Sequence, residues 1–144
     1  MFSTSSFFFI GILLSFLSYQ YEIKKEPCKK KNVPLSINFW RFIHHLIITF
    51  EILGFLKYPL VSLILLISIR IHWLLNNNKC ELTLKVNKYC GYNTDQFTTI
   101  FQPLNDYDWL YKPIGILIGY YITNRKIEYI QLSLLYLIIK TIQK

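Results

Sequence analysis

From Phe2 to Tyr21 the chain runs for 20 residues without a charged side chain. A helix of that length spans about 30 Å at ~1.5 Å per residue, which is the thickness of a bilayer core. A backbone in lipid can satisfy its own N–H and C=O groups only as a helix or a closed barrel. This run therefore restricts the chain first, to an all-α, integral membrane helical bundle. No basic residue precedes it and no clear small-x-small cleavage site follows it, so it reads as an anchor rather than a cleaved leader. The lysines lie behind it, which fits a translocated N-terminus.

Further apolar segments follow. Ser36–Leu56 carries a candidate cap at Ser36 or Asn38, and Tyr58–Leu75 is interrupted only by Arg70 and His72. Between them Lys57-Tyr58-Pro59 is a short turn, so segments two and three are expected to form an antiparallel hairpin. Pro113–Ile122 is short enough to be either a tilted span or a surface-lying helix, and Ile127–Ile142 suits a thin or tilted span. The expectation is one multi-pass membrane domain over 1–144, with spans at 2–21, 36–56 and 58–75 and two further candidates at 110–123 and 127–143. The segment 76–109 reads as a polar inner loop, and Tyr107, Trp109 and Tyr111 read as interfacial anchors.

Hydrophobic residues make up 53% of the chain and charged residues 17%, too apolar for an ordinary soluble domain. The net charge of +8 raises the question of nucleic acid, but Lys24, Lys25, Lys29, Lys30 and Lys31 cluster between two apolar segments. A basic loop there orients a span and attracts anionic headgroups, and no nucleic-acid-binding motif accompanies it. Lysine and arginine counts put the 22–35 and 76–109 loops inside and the N-terminus outside or lumenal. The partners implied are the lipid bilayer, and other membrane proteins or a second copy of the chain. The bias toward Ile, Leu, Lys, Asn, Phe and Tyr, with no alanine, follows A+T-rich codons and is read as genomic.

Charged groups inside a span cost about 2.5–3.5 kcal/mol each and are functional suspects by default. Arg41 and His44 lie about 60° apart around a helix, and Glu51 falls within about 80° of Arg41. Segment two thus has a polar stripe of Arg41, His44 and Glu51, with His45 on its flank. Arg41 and Arg70 are shallow enough to snorkel to headgroups, whereas Glu51 lies too far along the axis to pair with either. Glu51 is read either as a proton or cation site or as a carboxyl packed between helices. A haem held by His44 or His45 with His72 meets a depth mismatch of about 7 Å and lacks a small-residue groove. A zinc site from Cys28, Cys80, Cys90 and His72 lacks paired ligand spacing. With the inner loops outside instead, a Cys80–Cys90 disulfide would be the better reading. There is no G-x-S-x-G, no phosphate loop and no catalytic triad spacing. No cofactor and no catalytic residue is assigned.

In IHWLLNNNKCELTLK, residues 71–85, His72 and Trp73 close a helix and three asparagines suit a left-handed stop. Then follow Cys80-x-Leu82-Thr83, Gly91-Tyr92, Phe97 and Pro103. That order resembles a family of uncharacterised small multi-pass membrane proteins of bacteria, with relatives in giant DNA viruses. In its bacterial members a C-P-L-T motif follows a span and precedes a G-Y…F…P stretch. The likeness covers roughly residues 36–122; Glu81 replaces the proline, Val86 takes an acidic position, and the phenylalanine spacing is off by one. The resemblance implies a membrane protein, in a host or virion membrane, with a recurring loop motif and no stated reaction. A non-enzymatic structural or membrane-assembly role is the leading expectation. The alternatives are a small ion or proton channel or transporter subunit, and a haem-bearing subunit of a membrane redox complex.

Overall fold

Among the residues described, the chain forms six α-helices and no strand, as its periodicity leads one to expect. A computed structural model describes residues 3–92, 98–103, 107–124 and 126–143, without the side chains of Asp108 and Trp109. Phe2 and Phe97, which the sequence reading used, lie outside the described residues. The helices are α1 (Thr4–Lys25), α2 (Leu35–Gly54), α3 (Pro59–Leu75), α4 (Glu81–Cys90), α5 (Asp108–Ile122) and α6 (Ile127–Ile142). Among them α1 alone is long and apolar enough to cross a membrane, and α3 is apolar but shorter, at 17 residues. α2 has the length, 20 residues, but Asn38, Arg41, His44, His45 and Glu51 lower its hydropathy.

Helix ends follow local chemistry. Ser3 caps α1 by accepting the Ser6 N–H at 3.1 Å, and Pro59 opens α3, where its missing N–H costs nothing. α3 stops at the asparagine triplet as its sequence indicates. Asn77 and Asn78 take φ of 53° and 61°, and the Asn78 N–H closes on the Trp73 carbonyl at 2.7 Å. Asparagine enters this left-handed region more readily than other side-chain-bearing residues. The helix α4 lies within the segment read as a polar loop. Its buried positions Thr83, Val86, Asn87 and Cys90 recur at helical spacing, a signal diluted by the lysines between them.

The chain packs as two units, residues 1–49 with 80–105, and residues 50–79 with 106–144. In the first, α1 buries Phe7, Gly11, Ser15, Ser18 and Glu22, a stripe at spacings of 4, 4, 3 and 4. From α2 the residues Arg41, His45 and Thr49, one turn apart, are likewise buried. The core of this unit is mostly small and polar.

The second unit is built differently. Phe55, Leu63, Leu66, Ile67, Tyr129, Tyr136 and Ile139 form an apolar core, with Ile116, Tyr120 and Leu132 against it. Within this unit α3 packs along α6 and α5. Two glycines four apart on α5 permit this closeness. A Cβ on Gly115 would meet the Phe55 ring at 3.1 Å; one on Gly119 would meet the Tyr129 hydroxyl at 2.1 Å and the Pro59 Cβ at 2.7 Å. Small residues at such spacing let apolar helices approach closely.

Gly119→Ala gains about 1 kcal/mol of helix propensity but overpacks a site whose Pro59 wall is rigid, which costs about 1–3 kcal/mol. Net destabilisation is expected, measured as a lower thermal midpoint. Gly115→Ala, facing a ring that can shift by tenths of an ångström, should stay near the parent.

Candidate functional site

Two groups of polar side chains in the first unit have the geometry of a site. The deeper one centres on Glu22, which the sequence reading placed in a loop. It lies in the last turns of α1 at 3% exposure, and its two oxygens meet Arg41 Nη2 at 3.2 Å and His45 Nε2 at 2.9 Å. A carboxylate only accepts, so the His45 Nε2–H donates to it. For a neutral imidazole, Nδ1 then accepts from the Ser18 hydroxyl at 2.8 Å. The Ser18 oxygen in turn accepts from the Thr99 hydroxyl at 2.9 Å and the Ile100 N–H at 3.3 Å. Thr99 Oγ1 accepts the Phe101 N–H at 3.2 Å. The donors form one directed chain from residues 99–101 through α1 and α2 to Glu22. Arg41 also donates to the Glu26 carbonyl at 3.0 Å, while its buried Nε finds no partner among the described residues. Arg41 is thus a buried counter-charge, 3% exposed, and does not snorkel as its shallow depth suggested.

The second group lies on α4. Cys28 and Cys90 are joined by a disulfide with Cα atoms 4.6 Å apart, so the Cys80–Cys90 alternative is replaced and Cys80 is the free thiol. The separation of 62 positions between the bonded pair explains why spacing could not reveal it. The same end of α4 holds residues 27–32 by several further contacts. The Lys29 N–H donates to the Cys90 carbonyl at 3.1 Å, Tyr92 donates its hydroxyl to the Pro27 carbonyl, and Tyr89 donates to the Asn32 carbonyl at 3.1 Å. Lys29 and Lys30 lie over the rings of Tyr92 and Tyr89 at 5.1 and 4.3 Å. Gly91, at φ 82°, ends the helix in the left-handed conformation, and the Gly91 and Tyr92 N–H groups both close on the Asn87 carbonyl. The Gly91-Tyr92 pair of the loop motif is therefore a helix stop and a strap.

At the other end, Cys80 is the N-cap of α4 and Thr83 is buried one turn on. Cys80 Sγ lies 3.6 Å from His44 Nε2, and Thr83 Oγ1 lies 3.4 Å from His44 Nδ1. Burial raises the Cys80 thiol pKa, but the hydrogen bond and charge of His44, with the backbone N–H and hydroxyl of Thr83, outweigh it and bring it to about 6. A thiol, an imidazole on its proton and a hydroxyl orienting that imidazole have the layout of an activated nucleophile. Leu82, half-buried, makes no polar contribution here.

The expected stripe of Arg41, His44 and Glu51 is split among three separate sets of partners. Arg41 meets Glu22, His44 meets Cys80 and Thr83, and Glu51, in the second unit, meets Lys112 Nζ at 3.6 Å and the Tyr111 hydroxyl at 3.5 Å. Lys112 falls inside the 110–123 candidate span, where the sequence offers no sign of its pairing with Glu51. His72 is exposed on α3, in the other unit from Cys80. Among the described residues no group of three His, Cys, Asp or Glu side chains is placed to hold a metal ion, and two of the cysteines considered for zinc are used by the disulfide.

No protein-family model matches the chain, and neither a curated protein nor a solved structure matches it significantly. What the two groups do is therefore argued from their chemistry.

Removing one member of a buried charge pair leaves the other unmatched and costs about 3–5 kcal/mol. Arg41→Leu should destabilise the purified protein by that order. Glu22→Leu combined with Arg41→Leu should recover most of the loss, and thermal unfolding of both singles and the double measures the coupling.

Proposed function

We propose that the chain is a helical, multi-pass integral membrane protein with a structural or membrane-assembly role. The observation that carries this reading is the inverted polarity of its helices. On α1 the buried residues include Ser15, Ser18 and Glu22, while Phe8, Phe9, Ile12, Leu13, Phe16 and Leu17 are exposed, Phe9 at 69%. α5 exposes Ile114, Leu117 and Ile118, and α6 exposes Leu134, Leu135, Leu137 and Ile138. In water such apolar faces are an aggregation liability, because a soluble monomer rarely shows patches beyond a few hundred Å². In lipid they are the ordinary surface, and the polar residues turn inward and pair. On this reading the spans are 2–21, 36–56, 58–75, 110–123 and 127–143, and residues 27–32 with α4 form a stapled polar segment outside the bilayer.

The Cys28–Cys90 bond supports an orientation opposite to the one drawn from the lysine count. Disulfides persist in oxidising compartments. The 22–35 loop and α4 then face the outside or a lumen, and the Lys57 turn faces the reducing side. Lys29 and Lys30, which weigh heavily in the lysine count, are held on tyrosine rings of α4. The loop motif of Cys80, Leu82, Thr83, Gly91 and Tyr92 fits the resemblance to small multi-pass proteins of bacteria and giant viruses. A host or virion membrane, with other membrane proteins or a second copy as neighbours, is part of the same proposal.

Alkaline carbonate treatment of membranes from expressing cells should leave the protein in the pellet; release into the supernatant would sink the membrane reading. Membranes quenched in acid and alkylated before digestion should yield the Cys28 and Cys90 peptides linked, with Cys80 alkylated. Alkylation at all three cysteines would restore the orientation given by the lysine count.

A further inference from the structure

We propose that Cys80, with His44 as its base and Thr83 positioning that base, is a thiol–disulfide exchange nucleophile that captures a low-molecular-weight aliphatic disulfide as a persistent mixed disulfide. Nucleophile, base and orienting group come from two helices and meet at one point, with Cys80 Sγ at 3.6 Å from His44 Nε2 and Thr83 Oγ1 at 3.4 Å from His44 Nδ1. To take the thiol proton, His44 Nε2, which faces Cys80 Sγ, must be the unprotonated nitrogen, so Nδ1 carries the hydrogen and donates it to Thr83 Oγ1.

The step balances without an outside redox agent. The thiol proton passes to His44 Nε2, and the thiolate attacks one sulfur of the disulfide R–S–S–R. The S–S bond breaks as the Cys80–S–S–R bond forms, and the leaving thiolate takes the proton back from His44. One disulfide is consumed and one is made. A small substrate is implied because Cys80 and His44 are both half-buried. The adduct persists because the other sulfurs are out of reach. Cys90 closes the far end of α4, about 15 Å from Cys80 at ~1.5 Å per residue, and it is bonded to Cys28. A second thiol that would expel the bound group is thus not supplied by this chain.

His44 is the titratable group that faces Cys80 from α2. On the side of α4 itself, Glu81 is turned to Lys85 at 2.8 Å, and Lys79 precedes Cys80 in the chain. The pH response should therefore be that of the Cys80 thiol beside His44. The inference does not depend on membrane insertion, so its failure and the failure of the membrane reading are separate results.

The test uses the full chain purified in detergent, its Cys28–Cys90 bond verified by intact mass, with hydroxyethyl disulfide as the probe. The rate of adduct formation on the Cys80 peptide is followed from pH 5 to pH 9. A midpoint near pH 6 is expected. With a thiol of ordinary pKa, about 8.5, the thiolate fraction at pH 6.5 falls roughly 75-fold, and its greater intrinsic nucleophilicity returns about tenfold. His44→Asn should accordingly move the midpoint up by about 2.5 units and slow the reaction at pH 6.5 roughly sevenfold. Thr83→Val should shift it the same way, and Thr83→Ser should restore it. A wild-type midpoint at or above pH 8 overturns the proposal without reference to any variant. So does a His44→Asn protein, disulfide intact, with an unchanged profile, or an adduct found on Cys28 or Cys90 while Cys80 stays free.

Discussion

The Glu22 carboxylate sets the terms for the first unit. A buried carboxylate without a counter-charge is too costly to keep, and Glu22 has the Arg41 guanidinium at 3.2 Å and the His45 imidazole N–H at 2.9 Å. Both belong to α2, four residues apart, so meeting Glu22 fixes which face of α2 turns toward α1. Once Arg41 and His45 point inward, Thr49 follows on the same stripe, and Ser15 and Ser18 of α1 line the other side. His45 has a second nitrogen to satisfy, which recruits Ser18, and Ser18 recruits Thr99 and the Ile100 N–H. The docking of residues 98–101 is thus a consequence of a charge several groups away. The same rotation of α2 carries His44, one residue before His45, to the flank where α4 presents Cys80 and Thr83.

The second unit reaches a compact core by other means. Its interior is aromatic and branched aliphatic, and its close approach depends on absent side chains at Gly115 and Gly119 more than on polar pairing. Its ends carry the polar work. Arg70 donates to the Gln143 side chain at 3.4 Å and stacks over Trp73 at 4.9 Å, and the Gln143 amide returns a bond to the Arg70 carbonyl at 2.7 Å. That reciprocal pair ties the end of α3 to the end of α6, so Arg70, expected only to snorkel, is a fastener. Glu51 with Lys112 is the remaining buried pair, and like the Glu22 group it joins residues far apart in sequence.

Helix class and the end of α3 were legible because each depends on local pattern, whereas Arg41, expected to snorkel, turns inward. Twenty uncharged residues can be counted, asparagines after a helix have a stated backbone preference, and Arg41, His44 and Glu51 stand out against apolar neighbours. Their partners were not legible, because pairing is a property of tertiary contact. Glu22 looked like the first loop residue when the span was ended at the first charge; extending the helix one turn would have put it on the Phe7–Gly11–Ser15–Ser18 stripe. Gly115-x-x-x-Gly119 was present in plain view and went unused. α4 was hidden because its alternation of Lys with buried Thr, Val and Asn lowers mean hydropathy to that of a loop, although the 83, 86, 87, 90 spacing is helical. The Cys28–Cys90 bond had no local signature at all.

α4 is short, and its two ends hold sulfur in opposite conditions. Cys90 is consumed in a staple, surrounded by backbone hydrogen bonds and two lysine–tyrosine contacts that would have to be broken to free it. Cys80 is reduced and sits against a base. A low-pKa thiol beside a disulfide would attack it, and the chain would shuffle its own cross-link. Ten residues of helix prevent this, since a rigid rod cannot bring its ends together as a loop of the same length could. The helical state of α4 therefore has a chemical consequence beyond packing. Gly91, whose left-handed φ ends the helix just after Cys90, and Thr83, buried in its first turn, bound the rod at the two ends where sulfur must be kept apart.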